Sequence, residues 1–213
     1  MTTRLLIARH GETAWNRSRI FRGQYDVPLN DTGREQARWL GEALRDTPID
    51  AAYSSPVSRA LETGQIALQG RDISLRTLQG LSDLNFGDWT GLEEQRVAER
   101  WPDEYALWRR APHCVQLPGG ESLPAVQARA MAALEHIVAD HPDQTVALFS
   151  HRVVTKMLVL GCLGLGADRF ASLRQDNCCL NEIEHSASGY VIVRLNDTSH
   201  LHVSGLPLLV SDF

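Results

Sequence analysis

Two histidines and two arginines, each placed just beyond a short apolar run, are the residues here with the clearest chemical potential. Arg9-His10-Gly11-Glu12-Thr13-Ala14-Trp15-Asn16 follows directly on Leu5-Leu6-Ile7-Ala8. A neutral imidazole is a competent nucleophile toward phosphorus, and a neighbouring arginine lowers its pKa and holds a dianion beside it. Gly11 lets the backbone approach closely, while Thr13 and Asn16 offer donors to phosphate oxygens. A second motif, Ser54-Ser55-Pro56-Val57-Ser58-Arg59, puts Arg59 in the first turns of a helix. Its fork geometry suits a bidentate grip on a phosphoryl group. A third, Phe149-Ser150-His151, sets another imidazole where an apolar strand gives way to a helix, and backbone N–H groups there favour an anion. Singly, each has a bland explanation: a surface histidine, a salt-bridged arginine, a capping histidine. Together, all three at strand C-termini, they point to a phosphoryl-binding site.

The elements that must position these residues alternate. Short strands are expected at 5–8, 50–54, 74–78 and 145–149, from apolar runs bounded by polar motifs. Ala37, Leu40 and Leu44 recur at helical spacing after Thr32-Gly33, and Ser55-Pro56 suits a helix start with Ser55 as cap. Longer helices are expected over 122–141 and 153–163. Two β-rich runs, 180–184 and 190–195, flank Gly189 and read as a closing hairpin. Residues 92–120 are rich in charge, tryptophan and proline and read as a lid-like excursion of short helices over a sheet edge. The sum is an α/β fold: one domain over 1–213, helices on both faces of a mostly parallel sheet, and a site at the strand C-termini.

The 213 residues carry a net charge of −5, with 43% hydrophobic and 22% charged residues. That composition is globular, and without a basic stripe it argues against a nucleic-acid partner. No run reaches the length of a membrane span, and no secretion signal is visible, so the expected location is cytoplasmic. Cys114, Cys162, Cys178 and Cys179 form no CxxC pair. On a strand, the last two would face opposite ways, so free thiols are expected. His200 and His202 would share a strand face, but without a carboxylate or cysteine cluster nearby a hydrogen-bonding role fits better than a metal site.

The ordered set of motifs resembles the histidine phosphatase superfamily, in its phosphoglycerate-mutase-like branch. The likeness runs from Arg9-His10-Gly11-Glu12 through Gly23, Asp26 and Pro28-Leu29 to Ser54-Ser55-Pro56 with Arg59. It continues through Phe86-Gly87-Asp88-Trp89-Thr90-Gly91, Pro118-Gly119-Gly120-Glu121-Ser122 and Ser150-His151. The resemblance implies a three-layer αβα sandwich and a phosphohistidine formed on His10. Arg9, Arg59 and His151 would clamp the phosphoryl oxygens, with Asn16 and Gly23 lining the pocket. It implies a small phosphorylated metabolite as substrate and no metal or organic cofactor. A homodimer is compatible with it, since such folds commonly dimerise. The layout is nearest alpha-ribazole phosphatase and metal-independent phosphoserine phosphatase, although the latter carries His where this chain has Phe86.

Three further departures matter. The family's proton-donating Glu is replaced by Asp83, whose carboxylate reaches roughly 1.5 Å less. It could act through a water or from a backbone held closer. The residue after the second histidine, commonly Gly, is Arg152, which opposes the helix dipole and hints at an anion that offsets it. A surface salt bridge would explain it as well. Trp108-Arg109-Arg110 resembles the cofactor-dependent mutases. Those, however, carry Arg where this chain has Leu84, Lys where it has Glu93-Glu94, and a long insertion before the position of Pro118. A catalytically weak binding member of the family is the remaining alternative, although every nucleophile and clamp position is filled. Because no ligand constellation for a metal is visible, excess EDTA should leave turnover of a phosphate monoester undiminished. Loss of activity in chelator, restored by Mg²⁺ or Zn²⁺, would contradict this.

Overall fold

The computed structural model describes residues 1–203; the end of the expected domain, 204–213, lies outside the described residues. In chain order the elements are β1 (Thr3–Arg9), α1 (Ala14–Arg17), α2 (Asp31–Leu44), β2 (Ala51–Ser54), α3 (Ser58–Ala67), β3 (Leu75–Thr77), α4 (Glu94–Arg100) and α5 (Pro102–Arg110). They continue with α6 (Leu123–Asp140), β4 (Thr145–Ser150), α7 (Arg152–Cys162), β5 (Leu180–Ser186), β6 (Gly189–Asp197) and α8 (Ser199–Val203). The strands form one sheet in the order β3-β2-β4-β1-β5-β6. The first four are parallel; β5 runs antiparallel to β1 and β6 antiparallel to β5.

β1 and β4 are apolar on both faces because both faces are covered. Leu5, Ile7, Val146 and Leu148 pack toward α6 and α7, with Val126, Leu134 and Met157. Leu6, Ala8, Ala147 and Phe149 pack the other way, with Ala37, Leu40 and Leu44 of α2 and with Leu201 of α8. This is the three-layer αβα sandwich. Residues 92–120 fold onto the first of these layers. Val97, Val115 and Leu117 are buried there, and Trp101, Tyr105 and Trp108 gather round the buried Trp89.

The register sets the functional level. β4 lies between β1 and β2, pairing Arg9 with Ser150 and Ser54 with Phe149. The residues that follow, His10, His151 and Ser55, therefore emerge together at the C-terminal edge, where neighbouring strands diverge to opposite sides of the sheet. Three distant motifs become neighbours through strand pairing alone.

Several local expectations differ from what is found. α2 starts at Asp31, capped by Asn30, whose side chain accepts the Gly33 N–H at 2.8 Å. α3 starts at Ser58 with Val57 as N-cap, so Ser55 is not its cap. Ser55 Oγ instead closes a short turn onto the Val57 N–H and faces His151. Cys178 and Cys179 precede β5 rather than lying on it, and Cys178 adopts φ 50° in a tight turn that ends on the His10 carbonyl. His200 and His202 lie on α8, not on a strand, because Asp197 accepts the Ser199 N–H and turns the chain. Their role is hydrogen bonding, His200 to the Cys178 carbonyl and His202 to Thr198.

The loop after β1 sits directly on α2. A Cβ at Gly11 would lie 2.4 Å from the Gly33 carbonyl oxygen, and one at Gly33 would lie 2.1 Å from the Glu12 carbonyl oxygen. Both contacts are backbone and cannot swing aside. Gly33→Ala should therefore cost about 1–3 kcal/mol, the scale of overpacking. It should also impair catalysis by displacing the His10 loop. Denaturant unfolding read beside kcat would check both, and wild-type stability would contradict the contact.

Candidate functional site

The site is a cleft lined by His10, Ile20, Phe21, Arg22, Gly23, Asp83, Phe86, Arg152 and Val153. Arg9, Arg59 and His151 stand against this group, all essentially buried.

His10 is fixed from both ends. Its carbonyl accepts hydrogen bonds from Asn177 Nδ2 and from the Cys178 N–H, and its own N–H reaches the Ser150 carbonyl. The ring nitrogen Nδ1 lies 2.7 Å from the Gly11 carbonyl oxygen. A carbonyl can only accept, so the proton is assigned to Nδ1 and Nε2 presents its lone pair. Arg59 Nε, 3.3 Å away, points its N–H at that same lone pair. Burial holds His10 well below the ordinary imidazole pKa, and the charges of Arg59, Arg9 and Arg22 push it lower still. The ring is held neutral, with Arg59 at Nε2 and the charges of Arg9 and Arg22 acting on it as well.

Arg59 sits in the first turn of α3, fully buried. Its Nη2 donates to the Gly23 carbonyl at 2.6 Å and to Asp83 Oδ2 at 2.9 Å, and its Nη1 donates to the Tyr25 carbonyl at 3.0 Å. Burial lowers its pKa to about 10, with Asp83 opposing the fall. Gly23 takes φ 48°, and a Cβ there would lie 2.5 Å from the Leu84 carbonyl oxygen, which explains the glycine.

Asp83 reaches the site despite its shorter side chain because its backbone is strapped down. Gln24 Nε2 and Arg129 Nη2 both donate to its carbonyl, and Arg129 is itself paired with Glu121, which accepts the Asn85 N–H. Oδ1 accepts the Leu84 N–H, leaving Oδ2 toward Arg59 and, at 3.6 Å, His151 Nδ1. His151 is the N-cap of α7, its ring centroid 5.3 Å from that of His10. Its Nε2 is 2.8 Å from Ser55 Oγ, while Nδ1, fully buried, has no hydrogen-bond partner among the described residues. A bound phosphoryl oxygen would supply one.

Of the expected site residues, the fold gathers Arg9, His10, Gly23, Arg59, Asp83, His151 and Arg152. Arg9 Nη1 is anchored on the Gln175 carbonyl at 2.7 Å. Asn16 is buried but turned to Thr13, whose N–H and hydroxyl both bond its Oδ1, and it is not among the cleft residues. Two contributions escaped sequence reading. Arg22, 7% exposed, lines the cleft and acts on both imidazoles; its one visible signal was its place beside Gly23. The run Gln175–Asn181 supplies a buried polar network that holds Arg9 and His10 from behind. Nothing in the sequence distinguishes that run from a surface turn. Among the described residues no group of three or more His, Cys, Asp or Glu is placed to hold a metal ion. No helix there is long and apolar enough to cross a membrane.

Residues 5–198 match the family model described as histidine phosphatase superfamily (branch 1). Phosphoserine phosphatase 1 of Hydrogenobacter thermophilus is 31% identical over 198 residues, spanning 93% of this chain and 94% of that protein. A probable phosphoglycerate mutase, GpmB, of Erwinia tasmaniensis is 31% identical over 209 residues, spanning 94% and 95%. The solved structure of Bacillus stearothermophilus YhfR superposes with a TM-score of 0.90 at 32% identity, covering 93% of this chain and 99% of that one.

The electrostatics yield a direct expectation. Imidazole NMR signals of His10 should keep the neutral pattern as pH falls through 6.5, the ordinary midpoint. Arg22→Gln should move the midpoint upward, since one repelling charge is gone. A wild-type midpoint at or above 6.5 would contradict the picture.

Proposed function

The chain belongs to the histidine phosphatase superfamily, and on that premise we propose that it hydrolyses a small phosphate monoester through a phosphohistidine on His10. The observation that carries this reading is the Nδ1 contact with the Gly11 carbonyl, which leaves the Nε2 lone pair beside Arg59.

The step follows from the geometry. Nε2 attacks phosphorus, the bond from phosphorus to the ester oxygen breaks, and charge spreads over the equatorial oxygens. Arg9, Arg22 and Arg59 offset that charge in a site where water is largely excluded, and no reorganisation is needed at the moment of reaction. His151 donates through Nδ1. The incoming dianion displaces Asp83 from Arg59, and the freed carboxylate takes up a proton from solvent and passes it to the leaving oxygen. In the second half, Asp83 takes a proton from water, the water oxygen bonds to phosphorus, and the bond from phosphorus to Nε2 breaks. The chain is thus a phosphomonoesterase that works without a metal; the clamp is made of arginine.

A phosphatase fits better than a mutase. Leu84, where mutases carry Arg, is fully buried in the core. Arg109 is paired with Glu94 at 3.1 Å, more than half exposed, and neither Arg109 nor Arg110 lines the cleft. The substrate is a phosphorylated metabolite of the size class to which phosphoserine belongs. The free cysteines accord with a cytoplasmic setting.

His10→Ala should abolish hydrolysis and the acid-labile, base-stable label seen on rapid quench of the wild type; label on Ser, Asp or Cys would defeat the assignment. Asp83→Asn should slow phosphoenzyme formation from an alkyl phosphate by about 10²-fold or more, the usual scale of general acid catalysis. It should slow p-nitrophenyl phosphate far less, because p-nitrophenolate leaves without a proton. Single-turnover rates with the two esters make the comparison, and equal losses would show that Asp83 only orders the pocket. Asp83→Glu should hold or raise activity, since the backbone brings the residue close.

A further inference from the structure

We infer that Lys156 is a positioning residue for the cleft: its ammonium braces the wall behind the anion clamp, and a dianion entering the cleft takes up a proton on it. This rests on the reading above in taking the occupant of the cleft to be a phosphoryl dianion. Lys156 is the one charged side chain buried in α7, 4% exposed among Val153, Val154, Met157 and Leu158. An ammonium in such surroundings is costly, so the contacts it makes indicate what it serves. Its Nζ donates to the Phe170 carbonyl at 3.1 Å and lies 4.3 Å from the centre of the Phe170 ring. Both contacts fall on one residue of Ala167–Ser172, a short 3-10 segment that follows α7. Only the ammonium form makes both at full strength. A neutral amine has no charge for the ring to attract, and it donates more weakly to the carbonyl.

Phe170 passes that hold on to the cleft. Its ring lies 6.4 Å from that of Trp108, which stands 5.7 Å from Phe86 on the cleft lining. One helical turn before Lys156 is Arg152, which lines the cleft and lies over the same Phe170 ring at 5.9 Å. Arg9 continues the Leu5 and Ile7 side of β1, the side that α7 covers. Charge ties Lys156 to the clamp as well. Burial, then Arg152 and Arg9, pull it down to about 7. The groups that act on it are thus cations of α7 and β1. The acids of the other elements packed on α7 are engaged elsewhere: Asp168 pairs with Arg169 at the surface, and Glu135 of α6 acts on Tyr190 of β6 beside Cys162, at the far end of the helix. A dianion seated against Arg9 lowers the positive potential around Lys156 and so favours its ammonium. The sign follows. Anion affinity is full below about 7, where Lys156 is already charged, and falls as the pH rises through that midpoint and the proton must come from solvent. Both imidazoles of the site are held well below 6.5 and stay neutral across this window.

Sulfate is the probe, because it remains a dianion throughout the range. Its Kd is measured by titration calorimetry from about pH 6 to about pH 9 for the wild type, Lys156→Met, Lys156→Arg and Phe170→Leu. Proton uptake is read near pH 7.5 from two buffers of different ionisation enthalpy. The wild type should take up a fraction of a proton and bind sulfate about fivefold or more weakly at the upper end, the lower scale of coupling between two sites. Lys156→Met should bind at low pH as weakly as the wild type does at high pH, with no uptake. Lys156→Arg, charged throughout, should keep tight binding at high pH. Phe170→Leu should move the midpoint downward, since the ring that favours the ammonium is gone. A lysine that only filled space would leave all these profiles alike. No proton uptake in the wild type, a result that needs no variant to fold, overturns the assignment, and so does a pH profile unchanged in Lys156→Met. Either result with turnover intact removes the role of Lys156 alone. Absence of turnover and of phosphohistidine with every phosphate ester would instead overturn the phosphatase reading on which it rests.

Discussion

Three guanidiniums crowd two uncharged imidazoles in a buried space, and the rest of the site can be understood as the means of holding them there. Desolvating each cation costs on the order of several kcal/mol, and their mutual repulsion adds to it. The structure meets that cost with carbonyl oxygens. Arg59 is bonded to the Gly23 and Tyr25 carbonyls, and Arg9 to the Gln175 carbonyl. One carboxylate, Asp83, is admitted. The imidazoles respond by staying neutral, which is the state a nucleophile needs. The repulsion that destabilises the free protein is relieved when a dianion enters, so it favours binding and the charge-rich transition state together.

This arrangement explains features far from the reacting atoms. Arg129, paired with Glu121, and the Gln24 amide both donate to the Asp83 carbonyl and fix its backbone at the cleft. The tight contact between Gly11 and Gly33 seats the loop after β1 on α2. The aromatic cluster of Phe21, Phe86, Trp89 and Trp108 supplies a rigid apolar wall to the cleft, and ties residues 92–120 to it. Phe86 belongs to that wall, so this end of the cleft is apolar.

The positions of most strands and helices along the chain, and the placing of the three motifs at or just beyond strand ends, were largely legible in advance, because both are local. Apolar runs such as Leu5–Ala8 and Val146–Phe149 are strands buried on two faces, and a polar residue that ends such a run must lie at a sheet edge. His10, Arg59 and His151 stood out for that reason. The cap of α3 was misread because Ser55 and Ser58 both precede helical residues, and only the His151 ring shows which task Ser55 performs. Cys178 and the segment 199–203 were read as extended, but the first is bent by its bond to the His10 carbonyl and the second by Asp197.

By itself, then, the sequence determined the family motifs around His10, Arg59 and His151 and the parallel strands that deliver them to one edge of the sheet. Those follow from residue type and from periodicity, which act over a few neighbours. Tertiary structure decided what depends on charges and backbones brought together from distant segments. It made Arg22 part of the cleft, turned Asn16 to Thr13, placed Gln175–Asn181 behind Arg9 and His10, and aimed Asp83 at Arg59. It also put Arg152 on the lining of the cleft. Coulomb interaction and hydrogen bonding depend on distance in space, and distance in space between residues such as 22, 59, 83 and 152 is set by strand order and register, not by their separation along the chain.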